Sequence, residues 1–172
     1  RKNFDMQILG LDPGLRATGW GVIETSGTNL KHVANGVVRV NIKSSLANRV
    51  KELYKELNFV IDKFNLDSAA IEEVFVNKNP SSTLKLGQAR GVAILVPALK
   101  GIPISEYAST RIKKAIVGVG HADKEQMRVM VGHILPKCKF ENHDSVDALA
   151  VAICHSHYLD FANKWSFSNS LE

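Results

Sequence analysis

Apolar residues in the first forty positions alternate in short runs broken by Gly, Asn, Asp and Pro. That is the pattern of strands and tight turns. Gln7 to Gly14 (QILGLDPG) predicts a first strand ending at Asp12. Pro13 cannot continue a sheet ladder, and Gly14 permits a sharp exit. In a strand alternate residues share a face, so Ile8, Gly10 and Asp12 point one way and Leu9 and Leu11 the other. Thr18 to Glu24 and Val33 to Val40, with turn chemistry at Gly27-Thr28-Asn29, predict an antiparallel meander that begins with the first strand.

The period then changes. Leu46, Val50, Leu53, Leu57, Val60, Ile61 and Phe64 recur at three and four, which predicts a helix capped by Ser44 or Ser45 and ended by Asn65. Ala69 to Val76 (AAIEEVFV) predicts a strand parallel to the first, because a helix connects them. A second helix starts near Pro80 or Ser81 and becomes apolar on all sides through Gly91–Leu99. Such a helix is buried centrally or covered by a partner chain, and Gly87 and Gly91 would let another helix approach closely. Ile102 to Tyr107 predicts a short strand and Ser109 to Ile116 a basic helix, followed by a loop at Gly118-Val119-Gly120. Asp123 with Gln126 forms a capping-box pattern, and the last element starts near Asp144 and runs apolar from Ala148 to Cys154.

The whole is read as one α/β domain over residues 6–160, with 1–5 and 161–172 as terminal extensions. The Ser/Asn-rich end from Asn163 is expected to be disordered, and Leu171-Glu172 resembles a cloning remnant. Cys138 and Cys154 lack metal-site spacing and are taken as reduced thiols. No apolar run is long enough to span a bilayer, so a cytoplasmic protein without a membrane partner is expected.

Charge sharpens this picture. The chain carries a formal +5, but residues 78–137 hold ten Lys and Arg against Glu106, Asp123 and Glu125. The remainder has 12 bases against 14 acids. Either the basic residues are solvated helix faces, or they form a surface for a polyanion beside an acidic focus.

The acids at issue are few. Asp144 and Asp147 fall on one face of a helix's first turn, where they serve as ordinary N-terminal acids or as a ligand pair. Glu72 and Glu73 interrupt an apolar strand and, being adjacent, face opposite sides, so at most one can join Asp12. Periodicity does not choose between them. Four such acids could build a two-metal site for phosphodiester cleavage, since hard cations take oxygen ligands. His143, beside Asp144, is a further possible ligand or proton carrier.

LGLDPG, AIEEVF, LKLGQARG, EYASTRIKKAIVGVGHADKEQM and DSVDALAVA stand in an order that resembles the RuvC-type Holliday-junction resolvases, from about Met6 to His157. The resemblance implies a ribonuclease-H-like fold, a five-stranded mixed sheet flanked by helices on both faces. It implies a homodimer that binds four-way junction DNA and resolves it in recombination and repair by paired symmetric nicks, using two Mg²⁺ per active site with Mn²⁺ as substitute. RuvA and RuvB are the implied branch-migration partners, and a cytoplasmic, nucleoid-associated location follows. By motif position the catalytic and metal-binding acids are Asp12, Glu72, Asp144 and Asp147, which selects Glu72 over Glu73. Lys113 and Lys124 match residues linked to DNA contact and catalysis. Phe75 matches an aromatic suited to stack at the junction crossover, although a core role fits it as well. Lys78, Lys85, Arg90, Arg111 and Lys114 are the further residues expected to hold the DNA backbone. The chain departs from the family pattern in its N-terminal extension, in His121, and in the tail after Leu159. An ATP-dependent sugar or acetate kinase shares the first loop, but the chain lacks a second phosphate loop. A non-cleaving junction binder is disfavoured by the full set of acids.

Overall fold

In the computed structural model, which describes residues 5–14, 16–73, 79–140 and 142–169, the first strand is the middle of the molecule. This strand, β1 (Met6–Asp12), has Ile8, Leu9 and Leu11 fully buried, so both its faces are covered. On one side it pairs antiparallel with β2 (Ala17–Ser26), which pairs antiparallel with β3 (Asn29–Arg39). On the other side it pairs parallel with β4 (Ser68–Glu72), itself parallel to β5 (Ile104–Tyr107). The sheet order is β3-β2-β1-β4-β5, the expected five-stranded mixed sheet.

The meander reaches β4 through α1 (Leu46–Ile61), whose Ser45 hydroxyl accepts the Asn48 N–H at 3.3 Å. The helix stops at Ile61, short of the expected end at Asn65. Lys63 and Phe64 donate to Val60 and Ile61, three residues back, and so tighten the chain out of the α-helix. Phe64 nevertheless packs on Trp20, with ring centroids 6.0 Å apart, which is why it kept the helical hydrophobic period.

β4 is formed over Ser68–Glu72; of the predicted Ala69–Val76, positions 74–76 lie outside the described residues. Its last paired residue, Glu72, faces Tyr107, the end of β5, and Glu73 adds only an N–H bond to the Tyr107 carbonyl at 2.9 Å. Beyond that point neither neighbour continues. β5 begins two residues late, because Pro103 has no N–H for the ladder and serves only as acceptor for Ala69.

Among the described residues, five helices cover the two faces. Leu9, Leu11, Val22, Ala69 and Ile71 pack against α1 and α2 (Pro80–Leu99). Ile8, Ile23, Ala70 and Tyr107 pack against α3 (Ser109–Val117), α4 (Lys124–Ile134) and α5 (His143–Asn169). The capping box at Asp123 and Gln126 is formed in both directions, at 2.8 and 3.0 Å. At the end of α3, Gly118 adopts φ 88° and returns its N–H to Lys114, the left-handed cap that glycine favours.

Of the two readings of α2, central burial does not hold: Ala89, Ala93, Val96 and Pro97 are buried, while Leu84, Leu95 and Leu99 are exposed. A Cβ added at Gly87 or Gly91 would meet nothing within 4 Å, so no helix among the described residues packs against these glycines. α5 runs from His143 to Asn169. Residues 143–169 contain neither Gly nor Pro to stop it. Cys138 and Cys154 are free thiols, as expected. No helix among the described residues is long and apolar enough to cross a membrane.

Candidate active site

Strand parity puts Asp12 on the same face as Ile8 and Gly10, and Glu72 on the same face as Ala70. That is the face covered by α3, α4 and α5. The parallel register pairs Gly10 with Ala70 and Leu11 with Ile71, so the next step carries Asp12 and Glu72, at the carboxyl ends of adjacent strands. Open α/β sheets bind ligands at this kind of edge. Glu73 lies beyond the strand. Register thus separates two glutamates that spacing alone left equal.

α5 brings the other two acids. Asn142 caps it by accepting the Ser145 N–H at 3.0 Å, while the Ser145 hydroxyl donates to the Asn142 carbonyl at 2.8 Å. Asp144 and Asp147 therefore occupy the first turns, and Asn142 also donates to the Asp144 carboxylate at 3.5 Å. A glycine floor seats this helix on the sheet. A Cβ built at Gly10 would collide with the Ala148 carbonyl oxygen, and one at Gly19 with the Asp144 carbonyl oxygen. One at Gly21 would come 2.7 Å from the Leu149 side chain. Gly10 pairs with Gly21, and Gly19 pairs with Asp12 itself, so the missing side chains lie beside the first carboxylate.

The four acids act on one another. Burial lifts Asp12 well above the usual carboxylate range, and the charges of Asp147, Glu72 and Asp144 push it further. Glu72 is raised first by burial and also by Asp147, against a side-chain hydrogen bond from Ser109 and the charges of Lys113 and Lys124. Asp147 is raised by burial and by Asp144, with Lys124, His143 and Lys113 opposing. Lys124, at the start of α4, therefore acts on three of the acids, and Lys113 of α3 on two.

Among the described residues, no three His, Cys, Asp or Glu side chains are gathered tightly enough to hold one metal ion. The donors still suit one. They are carboxylate oxygens from two strands and a helix, aimed at one edge, and their mutual repulsion is what a hard cation relieves.

The other expected residues divide. Lys85 and Lys114 are exposed on α2 and α3. The Arg111 guanidinium lies over the Tyr158 ring, 4.9 Å from its centroid. Arg90 is turned inward: its Nε donates to the Glu72 carbonyl at 3.3 Å, and its Nη2 pairs with Glu106. Phe75 and Lys78 lie outside the described residues. Reading the sequence alone missed Ser109, Asn142 and the glycine floor. Of these, only the Gly19-Trp-Gly21 spacing on a strand was a visible signal, since glycine inside a strand marks a close approach.

Comparison with known proteins gives a consistent result. A family model described as Crossover junction endodeoxyribonuclease RuvC matches residues 8–155. The chain is 55% identical over 153 residues to the protein of that name from Paramagnetospirillum magneticum, covering 89% of this chain and 92% of the relative. It is 51% identical over 152 residues to that from Rhizobium johnstonii, covering 88% and 90%. In structure it resembles T. thermophilus RuvC solved in complex with a Holliday junction substrate. The TM-score is 0.85 at 28% identity, over 91% of this chain and 96% of that one.

Proposed function

The chain belongs to the RuvC family of crossover junction endodeoxyribonucleases and is a Holliday-junction-resolving endonuclease, and we propose that Asp12, Glu72, Asp144 and Asp147 form its metal-binding catalytic site. The observation that carries this reading is the electrostatic coupling of these acids on one sheet edge. The metal in this reading is Mg²⁺, with Mn²⁺ as substitute and two ions per site. When bound, it activates water and stabilises the leaving oxygen of the phosphodiester.

The protein's own groups do the rest. Asp12, Glu72, Asp144 and Asp147 would hold the cations. Lys124 and Lys113 offset the negative charge that would otherwise repel that phosphate. Lys85, Lys114 and Arg111 hold the DNA backbone by displacing its counterions. Phe75 stacks on a base at the crossover, where bases are unpaired, a contact worth about 1–3 kcal/mol, and Lys78 joins the backbone contacts. Because four acids repel one another, the second ion binds well only with the phosphate present. Tight binding of two Mg²⁺ to the DNA-free protein, measured by calorimetry, would contradict this.

Paired nicks in recombination and repair require two such sites, and a homodimer supplies them. The exposed stripe Leu84, Leu95 and Leu99, with Gly87 and Gly91 open to close approach, supports α2 as the dimer face. Leu84→Glu with Leu95→Glu should then sediment as a monomer. RuvA and RuvB are its branch-migration partners in this reading, tested by co-elution of the purified proteins on a junction.

The function itself is tested on a synthetic mobile four-way junction. Paired nicks with Mg²⁺ and none with EDTA are expected; nicking in EDTA would refute the metal site.

A further inference from the structure

Arg90 sits on α2, on the side of the sheet away from α5, yet it touches the residue that presents a catalytic acid. Its side chain is 19% exposed, and its guanidinium fork points onto the sheet. Nε donates to the main-chain carbonyl of Glu72 at 3.3 Å, and Nη2 pairs with the Glu106 carboxylate. Glu106 stands opposite Ile71 on β5, one step before the final pair of Glu72 with Tyr107. A single planar group thus spans the last residue of β4 and the edge strand beside it. The need for such a clamp is local. β1 ends at Asp12 and β5 at Tyr107, so the end of β4 has few ladder bonds to hold it where Glu72 must be aimed.

We propose that Arg90 is a positioning residue: it fixes the end of β4 from behind and so orients the Glu72 carboxylate toward Asp12, contributing to catalytic geometry rather than to DNA affinity. The inference rests on the reading of Glu72 as a metal-binding acid. Its motif position in a basic segment had suggested a phosphate contact instead. A guanidinium satisfies a carbonyl and a carboxylate at once through separate N–H groups held in a fixed plane, which a lysine ammonium does not reproduce. Misplacing a reacting group by about 1 Å costs roughly 100-fold in rate. Loss of a phosphate contact would instead lower affinity and reduce the salt slope of binding by about one.

The experiment uses full-length Arg90→Gln, Arg90→Lys, Glu106→Gln and Glu72→Gln proteins. Junction affinity is measured without divalent metal across a salt series, and nicking is measured with Mg²⁺ at saturating protein. Arg90→Gln should lower the nicking rate of the bound junction by roughly 10- to 100-fold, with affinity and salt slope unchanged. Arg90→Lys should not restore the rate, and Glu106→Gln should lower it in the same direction. The Glu73 amide, bonded to the Tyr107 carbonyl, should exchange its hydrogen faster in Arg90→Gln while distant amides stay protected. Arg90→Lys and Glu106→Gln carry the same test if Arg90→Gln does not fold. A reduced salt slope with normal nicking at saturation overturns the proposal, as does an unchanged rate while Glu72→Gln is inactive. If Glu72→Gln itself nicks like the unsubstituted protein, the reading of that acid fails, and the positioning role falls with it.

Discussion

Gly19 and Asp144 meet backbone to backbone: a Cβ built at Gly19 would collide with the Asp144 carbonyl oxygen and stand 3.1 Å from the Asp144 Cβ. Gly19 is also the strand partner of Asp12. The residue beside the first acid therefore sets how closely the helix carrying the third can approach. Gly19→Ala should push the start of α5 off the sheet, costing about 1–3 kcal/mol of stability as an overpacked contact does. Nicking should fall more than junction affinity, because the basic residues are left in place. Thermal unfolding together with gel-shift and nicking assays checks both.

Glu72 and Glu73 give a matched pair of substitutions. Both remove one charge from adjacent positions, but only Glu72 shares the face of Asp12. Glu72→Gln should reduce nicking by several orders of magnitude, while Glu73→Gln should stay within a few-fold of the unsubstituted protein. Single-turnover nicking of a junction by the two variants decides it, and equal losses would mean that register does not govern the site.

That pair also shows how far sequence reasoning reached. The meander, the parallel return and the helix caps follow from local chemistry, such as the capping box at Asp123, and were legible. The choice between adjacent glutamates depends on how Gly10 aligns with Ala70, sixty residues away, and no local period encodes that alignment. It came from motif resemblance instead. α1 was read three residues too long because Phe64 faces the core whether or not it is helical. For α2 the sequence left central burial and a partner-covered face open, because a stripe open to solvent and a buried stripe are equally apolar in it. Arg90 was read as a DNA contact from its motif and charge. Its turn inward depends on Glu106, a residue of a different strand.

Lys124 lowers the pKa of Asp12, Glu72 and Asp147, and so favours their ionised forms, the ones the proposed metal site requires. Lys124→Gln should let all three rise further. The acid limb of the pH–rate profile for nicking should then shift to higher pH, with the greatest loss of rate at the acid end. An unmoved limb with weaker junction binding would make Lys124 a phosphate contact only.

His155 is 3% exposed and joins three elements. Its Nδ1 shares a hydrogen bond with the Tyr107 hydroxyl at 2.8 Å, and its Nε2 shares one with the Ser68 hydroxyl at 3.1 Å. Burial lowers its pKa from 6.5 to about 4. Between those values the unfolded chain binds more protons than the folded one. The contribution of His155 to stability should therefore be complete above about pH 6.5 and fall as pH drops toward 4, by about 3 kcal/mol. Urea unfolding of the protein and of His155→Gln over this range checks it: the variant should show a shallower loss.

The site as a whole rests on Asp12, the acid that the other three surround. The most direct measurement compares junction binding and Mg²⁺-dependent nicking for Asp12→Asn. Affinity equal to or above that of the unsubstituted protein, with nicking abolished, is the expected result, because the phosphate contacts remain while a cation ligand is weakened. Binding and nicking lost in equal measure, or nicking retained, would contradict it.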